Sequence, residues 1–186
     1  MTARGFGFEI TARDGPARSA RLLTPHGLVE TPAFMPVATF GAVRGVAPTE
    51  LEELGAQILL SNTYHLHERP GEVVVAAAGG LHGFTGWRGP WLTDSGGFQI
   101  TSLAARARID EAGVTFRSPH DGLLRTLTPE KAVEIQEKLG ADVAMVLDEC
   151  VPDDAATPTL RARAATERTL RWAERSLRVH LSLIHI

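Results

Sequence analysis

The chain has 186 residues, 44% of them hydrophobic and 22% charged, with a formal net charge of −3 and a mean hydropathy of −0.03. That balance excludes a disordered chain, because enough apolar area exists to offset the entropy of ordering, and it supplies no general pull toward phosphate. The longest apolar run, residues 73–81, falls well short of the ~20 residues of a membrane helix, so no membrane partner is expected. Residues 1–8 show no charged-then-apolar leader, which makes a cytoplasmic location the default expectation. The single cysteine, Cys150, rules out an internal disulfide framework and a multi-cysteine zinc site within the chain.

The first thirty or so residues read as strand and turn. Phe6, Phe8 and Ile10 alternate with small or polar residues, and Arg13-Asp14-Gly15-Pro16 is a turn signal. Two further short strands, 17–23 and 28–31, join through Pro25-His26-Gly27. The run 33–37 is predicted as a short strand, followed by a helix that opens at Pro48 and stops at Gly55. Residues 56–60 form the next strand, closing on Ser61-Asn62-Thr63, and 71–78 read as a helix ended by Gly79-Gly80. Trp91-Leu92-Thr93 is a third strand, terminating in Asp94-Ser95-Gly96-Gly97.

Residues 109–127 break the rhythm. Val114 and Phe116, then Leu124 and Leu127, flank Ser118-Pro119-His120-Asp121-Gly122 as a hairpin insertion. A helix capped by Thr128 with Pro129 at its first position runs to Gly140, carrying Ala132, Val133, Ile135, Gln136 and Leu139. Residues 142–147 form a fourth strand closing on Asp148-Glu149-Cys150, and 159–179 a long amphipathic helix. Strands alternating with helices at this spacing predict an α/β fold with a parallel sheet. Four such units are half of an eight-stranded barrel, which needs about 250 residues. The final residues, 181–186, lack a cap and any relation to the arginine-rich pattern before them, and read as a tail foreign to the domain at 1–180.

Polar residues gathered at the C-terminal ends of parallel strands mark where such folds keep their chemistry. In Thr93-Asp94-Ser95-Gly96-Gly97-Phe98-Gln99 a carboxylate precedes two glycines, which let backbone approach a ligand closely. Phe98 adds a flat apolar face and Gln99 an amide, a set suited to a planar, hydrogen-bonding heterocycle. The plainer reading, a helix cap and a turn, weighs about evenly when the stretch is taken alone. Asp148 ends a strand so apolar that it belongs at the sheet rim, where it can converge with Asp94. Asn62, with Tyr64 and His65 beside it, forms a third strand-end cluster. His65 and His67, on a segment that reads as strand running into loop, lack an obvious third ligand, so no metal site is predicted in the chain. Cys150 reads as a small buried residue rather than a nucleophile. Arg161, Arg163, Arg168, Arg171, Arg175 and Arg178 could face phosphate, but a solvated outer helix accounts for them better. No phosphate loop, dinucleotide glycine fingerprint or serine-nucleophile elbow is present.

The segments Glu30-Thr31-Pro32-Ala33-Phe34-Met35-Pro36-Val37, Ser61-Asn62-Thr63-Tyr64-His65-Leu66, Leu92-Thr93-Asp94-Ser95-Gly96-Gly97-Phe98-Gln99 and Asp148-Glu149-Cys150 resemble, in order and spacing, bacterial tRNA-guanine transglycosylase (queuine tRNA-ribosyltransferase). The likeness runs from about Phe6 to about Arg178 and covers the N-terminal half of such an enzyme. It implies a (β/α)8 barrel of the TIM type, of which the first four units, the N-terminal hairpins and the hairpin insertion are present here. It implies exchange of guanine at the anticodon wobble position of tRNA for a 7-deazaguanine (preQ1), through a covalent ribosyl-enzyme intermediate, in queuosine biosynthesis. By that likeness Asp94 is the general acid/base, and Asp94, Ser95, Gly96, Gly97, Phe98 and Asp148 line the base pocket, with Asn62 near the ribose. It further implies Zn2+ and a homodimer in full-length members. The nucleophilic aspartate and the zinc-binding Cys/His cluster belong to the family's second half, so the 186 residues alone are expected to be inactive in exchange. Two other readings differ in class. One is a non-catalytic base- or tRNA-binding subunit, and the other an α/β-barrel glycosidase using Asp94 and Asp148 as its acid pair.

Overall fold

Three small sheets and seven helices are present in a computed structural model of the chain, which describes residues 5–103, 107–151 and 158–183. The expectations on residues 1–4, and on 184–186 of the tail, lie outside the described residues. β1 (Gly7–Asp14), β2 (Ala17–Thr24) and β3 (Gly27–Thr31) form an antiparallel sheet in that order. The β1–β2 turn uses Gly15 at φ +55°, a left-handed conformation that glycine adopts without the steric cost a Cβ brings. β1 is exposed along its length, whereas Ala20 of β2 and Val29 of β3 are buried.

The chain then runs through α1 (Pro48–Glu53), β4 (Leu59–Ser61), α2 (Thr63–Glu68), α3 (Glu72–Ala77), α4 (Gly80–Thr85), β5 (Trp91–Thr93) and α5 (Gly97–Leu103). β6 (Arg108–Ile109), β7 (Val114–Arg117) and β8 (Leu124–Leu127) form the inserted antiparallel sheet. α6 (Pro129–Leu139), β9 (Val143–Ala144) and α7 (Thr159–Leu183) complete the order. β4, β5 and β9 pair in parallel, in that order, so an α/β arrangement with a parallel sheet is confirmed.

Several expected elements are shorter than the sequence suggests. The strand predicted over 33–37 is reduced to a single parallel bridge between Val37 and Leu60. Pro32 and Pro36 lack the N–H a ladder needs, and pairing is confined to Leu60 N–H on Pro36 O at 3.0 Å and Ala38 N–H on Leu60 O at 2.7 Å. The strand predicted over 142–147 is regular only at Val143–Ala144. Its pairing ends where β5 ends, with Asp142 N–H on Trp91 O at 2.9 Å and Met145 N–H on Thr93 O at 3.1 Å. Met145 and Val146 beyond it are exposed.

α6 follows its sequence signals closely. Thr128 Oγ1 accepts the Lys131 N–H at 3.1 Å, Pro129 opens the helix, and Gly140 closes it at φ +70°. Its inner face of Ala132, Val133, Ile135, Gln136 and Leu139 is buried against α3 and α7. The core is completed by Trp91, Leu66, Leu81, Ile100, Phe116, Leu147 and Trp172.

α7 extends four residues past its predicted end, so 181–183 continue the helix. Its arginines are largely taken up by the protein itself. Arg168 binds Glu149 and Glu111, Arg171 binds Glu111, Arg175 binds Glu130 at 2.7 Å, and Arg163 binds Glu167. Arg171 and Arg168 hold the Glu111 carboxyl down at about 2. Trp172 Nε1 donates to Glu111 O at 3.1 Å. These contacts lock α7 onto the hairpin insertion and α6.

Candidate functional site

Asp94 follows β5 and Asp148 follows β9, so the two acids leave the C-terminal ends of neighbouring parallel strands. Asp94 is half-buried and accepts four donors. Thr63 N–H at 2.9 Å and Gly96 N–H at 3.1 Å reach Oδ1, while Gln99 Nε2 at 3.0 Å and Asn62 Nδ2 reach Oδ2. The Gly96 bond and the acceptance of Gly97 N–H by Ser95 Oγ at 3.3 Å are the turn of the plainer reading. The structure therefore combines a turn at the start of α5 with a carboxylate set among donors.

Asp148 receives Ser95 Oγ–H on Oδ1 at 3.0 Å and the Cys150 thiol on Oδ2 at 3.2 Å. Ser95 thus bridges the loop after β5 to the loop after β9. The glycines make that closeness possible. A Cβ at Gly97 would lie 2.7 Å from Asp148 O, and one at Gly96, whose φ is +83°, 3.1 Å from Tyr64 N. Phe98 follows this floor and is 61% exposed. Glu149 is anchored by Arg168 and by its N–H on Thr169 Oγ1 at 3.0 Å, so α7 fixes the Asp148 loop from behind.

Asn62 is 7% exposed. It occupies the N-cap position of α2, but its side chain makes no cap bond and turns to Asp94 instead. The loop expected here is thus a helix, and it carries Tyr64 and His65 inward. Tyr64 meets Phe116 edge-on at 5.5 Å, and His65 tilts against Phe40 at 5.0 Å. Burial holds the His65 imidazole below its ordinary value of 6.5, opposed by the nearby Asp94 carboxylate and reinforced by His120. His67 binds Glu72 at 2.7 Å and takes no part in a site with His65. Every residue singled out in the sequence for base binding sits in or beside this one rim.

The family model of queuine tRNA-ribosyltransferase matches residues 14–184. The chain belongs to this family. It is 58% identical over 173 residues to the queuine tRNA-ribosyltransferase of Thermus thermophilus, covering 93% of this chain and 44% of the relative. It is 57% identical over 177 residues to that of a Nostoc species, covering 94% and 47%. For the Marinobacter nauticus enzyme the identity is 54% over 173 residues, covering 93% and 46%. The chain spans less than half the length of these relatives.

The Cys/His zinc site implied by the resemblance does not fit the residues present. Cys150 is the one cysteine, and its thiol is pushed up to about 11 by burial and then by its bond to Asp148. A site built on several cysteines and a histidine therefore needs ligands beyond these residues. Among the described residues a single group, His26, His82 and Asp142, brings potential ligand atoms within 4.8 Å of one another. It was invisible in the sequence, since its members lie far apart in the chain. It sits at the opposite end of the parallel strands, before β9, where Asp142 also accepts the Trp91 N–H at 2.9 Å. The two imidazoles stack at 3.6 Å and 19°, so their in-plane lone pairs run in nearly parallel planes rather than converging on an ion. His26 Nδ1 instead pairs with Asp142 Oδ1 at 2.7 Å, and His82 Nε2 lies 3.1 Å from Gly89 O.

Burial and then the neighbouring His26 hold His82 below 6.5, while Asp142 and the Gly89 carbonyl oppose them. The unfolded chain therefore takes up this proton first as pH falls below 6.5, and folding stability declines through that window. Urea midpoints measured from pH 7.5 to 5 are expected to fall more steeply for wild type than for His82→Gln. A parallel fall in the two proteins would contradict the assignment. No helix among the described residues is long and apolar enough to cross a membrane.

Proposed function

We propose that residues 1–180 are the base-binding half of a tRNA-guanine transglycosylase barrel that exchanges a wobble-position guanine in tRNA for a 7-deazaguanine. The observation that carries this reading is the Asp94–Ser95–Asp148 rim. Two carboxylates stand at adjacent parallel strand ends, and Ser95, next to Asp94 in the chain, donates to Asp148 over a glycine floor with no room for a Cβ. Guanine-type bases present adjacent N–H donors on one edge, and a carboxylate accepts such a pair bidentately, strongly where water is excluded. Each Asp148 oxygen has a second lone pair for this purpose beyond the Ser95 and Cys150 bonds. Phe98 covers the ring face and Asn62 lies toward the ribose.

In the exchange, a carboxylate nucleophile from the remainder of the barrel attacks the ribose anomeric carbon as the guanine bond breaks, and Asp94, carrying a proton on Oδ2 in place of one of the two amide donors there, gives it to the departing base. The incoming base then returns a proton to Asp94 as its nitrogen displaces the carboxylate. The rest of a barrel would add at β9. An apolar groove of about 570 Å³ runs there, lined by Val143, Met145 and Val146 with Leu177 of α7, and the relatives are more than twice as long as the matched region. Cytoplasmic location and pairing into a homodimer belong to the same reading.

The test is uptake of radiolabelled guanine into tRNA. The complete protein containing this chain is expected to label tRNA with guanine at the wobble position and not tRNA lacking it. The 186 residues alone are expected to label neither. A complete, folded protein that labels no tRNA would contradict the proposal.

A further inference from the structure

Gln136 occupies a position that the helical period assigns to the core, and it is 1% exposed. A buried amide is costly unless its polar atoms are matched, and all four of its bonds are made. Its Oε1 accepts the Thr93 hydroxyl at 2.9 Å and the Met145 N–H at 3.0 Å. Its Nε2 donates to Met145 O at 2.9 Å and to Ala132 O at 3.1 Å. Ala132 lies one turn back on α6 itself, so the other three bonds reach out to two strands.

Those strands carry the two acids. Thr93 is the last residue of β5, wholly buried, and directly precedes Asp94. Met145 continues β9 three residues ahead of Asp148. The ladder between them is short, because β9 has two regular residues and β5 three. Met145 N–H on Thr93 O at 3.1 Å is its last rung. Beyond that rung no further ladder bond joins the two strands among the described residues, and the Gln136 side chain ties both to α6.

We propose that Gln136 is a positioning residue. Through Thr93 and Met145 it sets the separation of Asp94 and Asp148, and with it the width of a slot for a guanine-type base. This inference rests on the base-site reading given under Proposed function. Reacting groups displaced by about an ångström lose much of their effect, so a small loosening at Thr93 has a measurable result.

The experiment is calorimetric titration of guanine into the complete protein, alongside its thermal melting. Thr93→Val keeps the volume of the side chain and removes the hydroxyl, leaving the links between Gln136 and Met145 in place. Thr93→Ser keeps the hydroxyl and loses only the methyl. Thr93→Val is expected to weaken guanine binding about tenfold with little change in melting temperature, and Thr93→Ser to bind within about twofold of wild type. Gln136→Met is expected to weaken binding by at least as much as Thr93→Val, and adding Thr93→Val to it to cause little further loss, because both remove one shared link. Unchanged binding in Thr93→Val, or equal weakening by Val and Ser, would overturn the role of Gln136 alone. Absence of guanine binding in the folded wild type would overturn the base-site reading, and this inference with it.

Discussion

Asp94→Asn is expected to lower guanine exchange in the complete protein by about 10³-fold, the scale of a lost general acid/base. The substitution keeps the shape of the side chain and removes the carboxylate that carries the proton. It also changes the local bonding. One oxygen remains for the Thr63 and Gly96 N–H groups, but the new amide group is a donor facing the Asn62 and Gln99 donors. A mismatch of that kind costs about 1–3 kcal/mol for each polar group left unmatched. Single-turnover exchange, read beside a urea unfolding curve, separates the two effects. Exchange within tenfold of wild type would remove Asp94 from the chemistry.

Asp148→Asn is expected to act on recognition rather than on turnover, with guanine affinity falling about 10²-fold, as for loss of a charge-assisted hydrogen bond. Ser95 and Cys150 both donate to Asp148, so its carboxylate is already organised for acceptance, and an amide offers one acceptor where two are used. Gly97 bears on the same site, since its floor lies against Asp148 O with no space for a Cβ. Competition binding of guanine to wild type and Asp148→Asn, at equal folded fraction, is the measurement. An affinity changed by less than about threefold would place the base edge elsewhere.

Much of this site was legible in the sequence because strand ends announce themselves. Leu92-Thr93 running into Asp94, and the apolar run before Asp148, place two acids at one rim once the strands are parallel. The Thr128 cap, Pro129 and Gly140 bounded α6 correctly for the same local reason. The short helices were harder. α2, α4 and α5 have six, six and seven residues, too few turns for an apolar period to show, and α2 begins where a loop was expected. The strand at 33–37 failed because proline removes donors that apolar composition does not reveal.

Long-range chemistry was not legible. The arginines of α7 read as either a phosphate face or a solvated one, and only the fold brings Glu111, Glu130 and Glu149 to them. His26 and Asp142 are 116 residues apart. Glu68, its carboxylate fully buried, meets Arg125 and Ser118 across the hairpin insertion, and nothing local marks it. Gln136 did leave a trace as a polar residue in the apolar stripe of α6, although its partners could not be read from that stripe.

The central claim is that Asp148, on the rim it shares with Asp94, reads the N–H edge of a guanine-type base. Its most direct test is calorimetric titration of the complete protein with guanine, 7-deazaguanine and hypoxanthine. Guanine and 7-deazaguanine share the N–H edge and differ at ring position 7, whereas hypoxanthine lacks the exocyclic amine. Saturable binding of the first two, with hypoxanthine at least tenfold weaker, is the predicted result, because a carboxylate left with one donor instead of two loses about one charge-assisted hydrogen bond. Equal affinity for all three, or binding that survives Asp148→Asn unchanged, would contradict it.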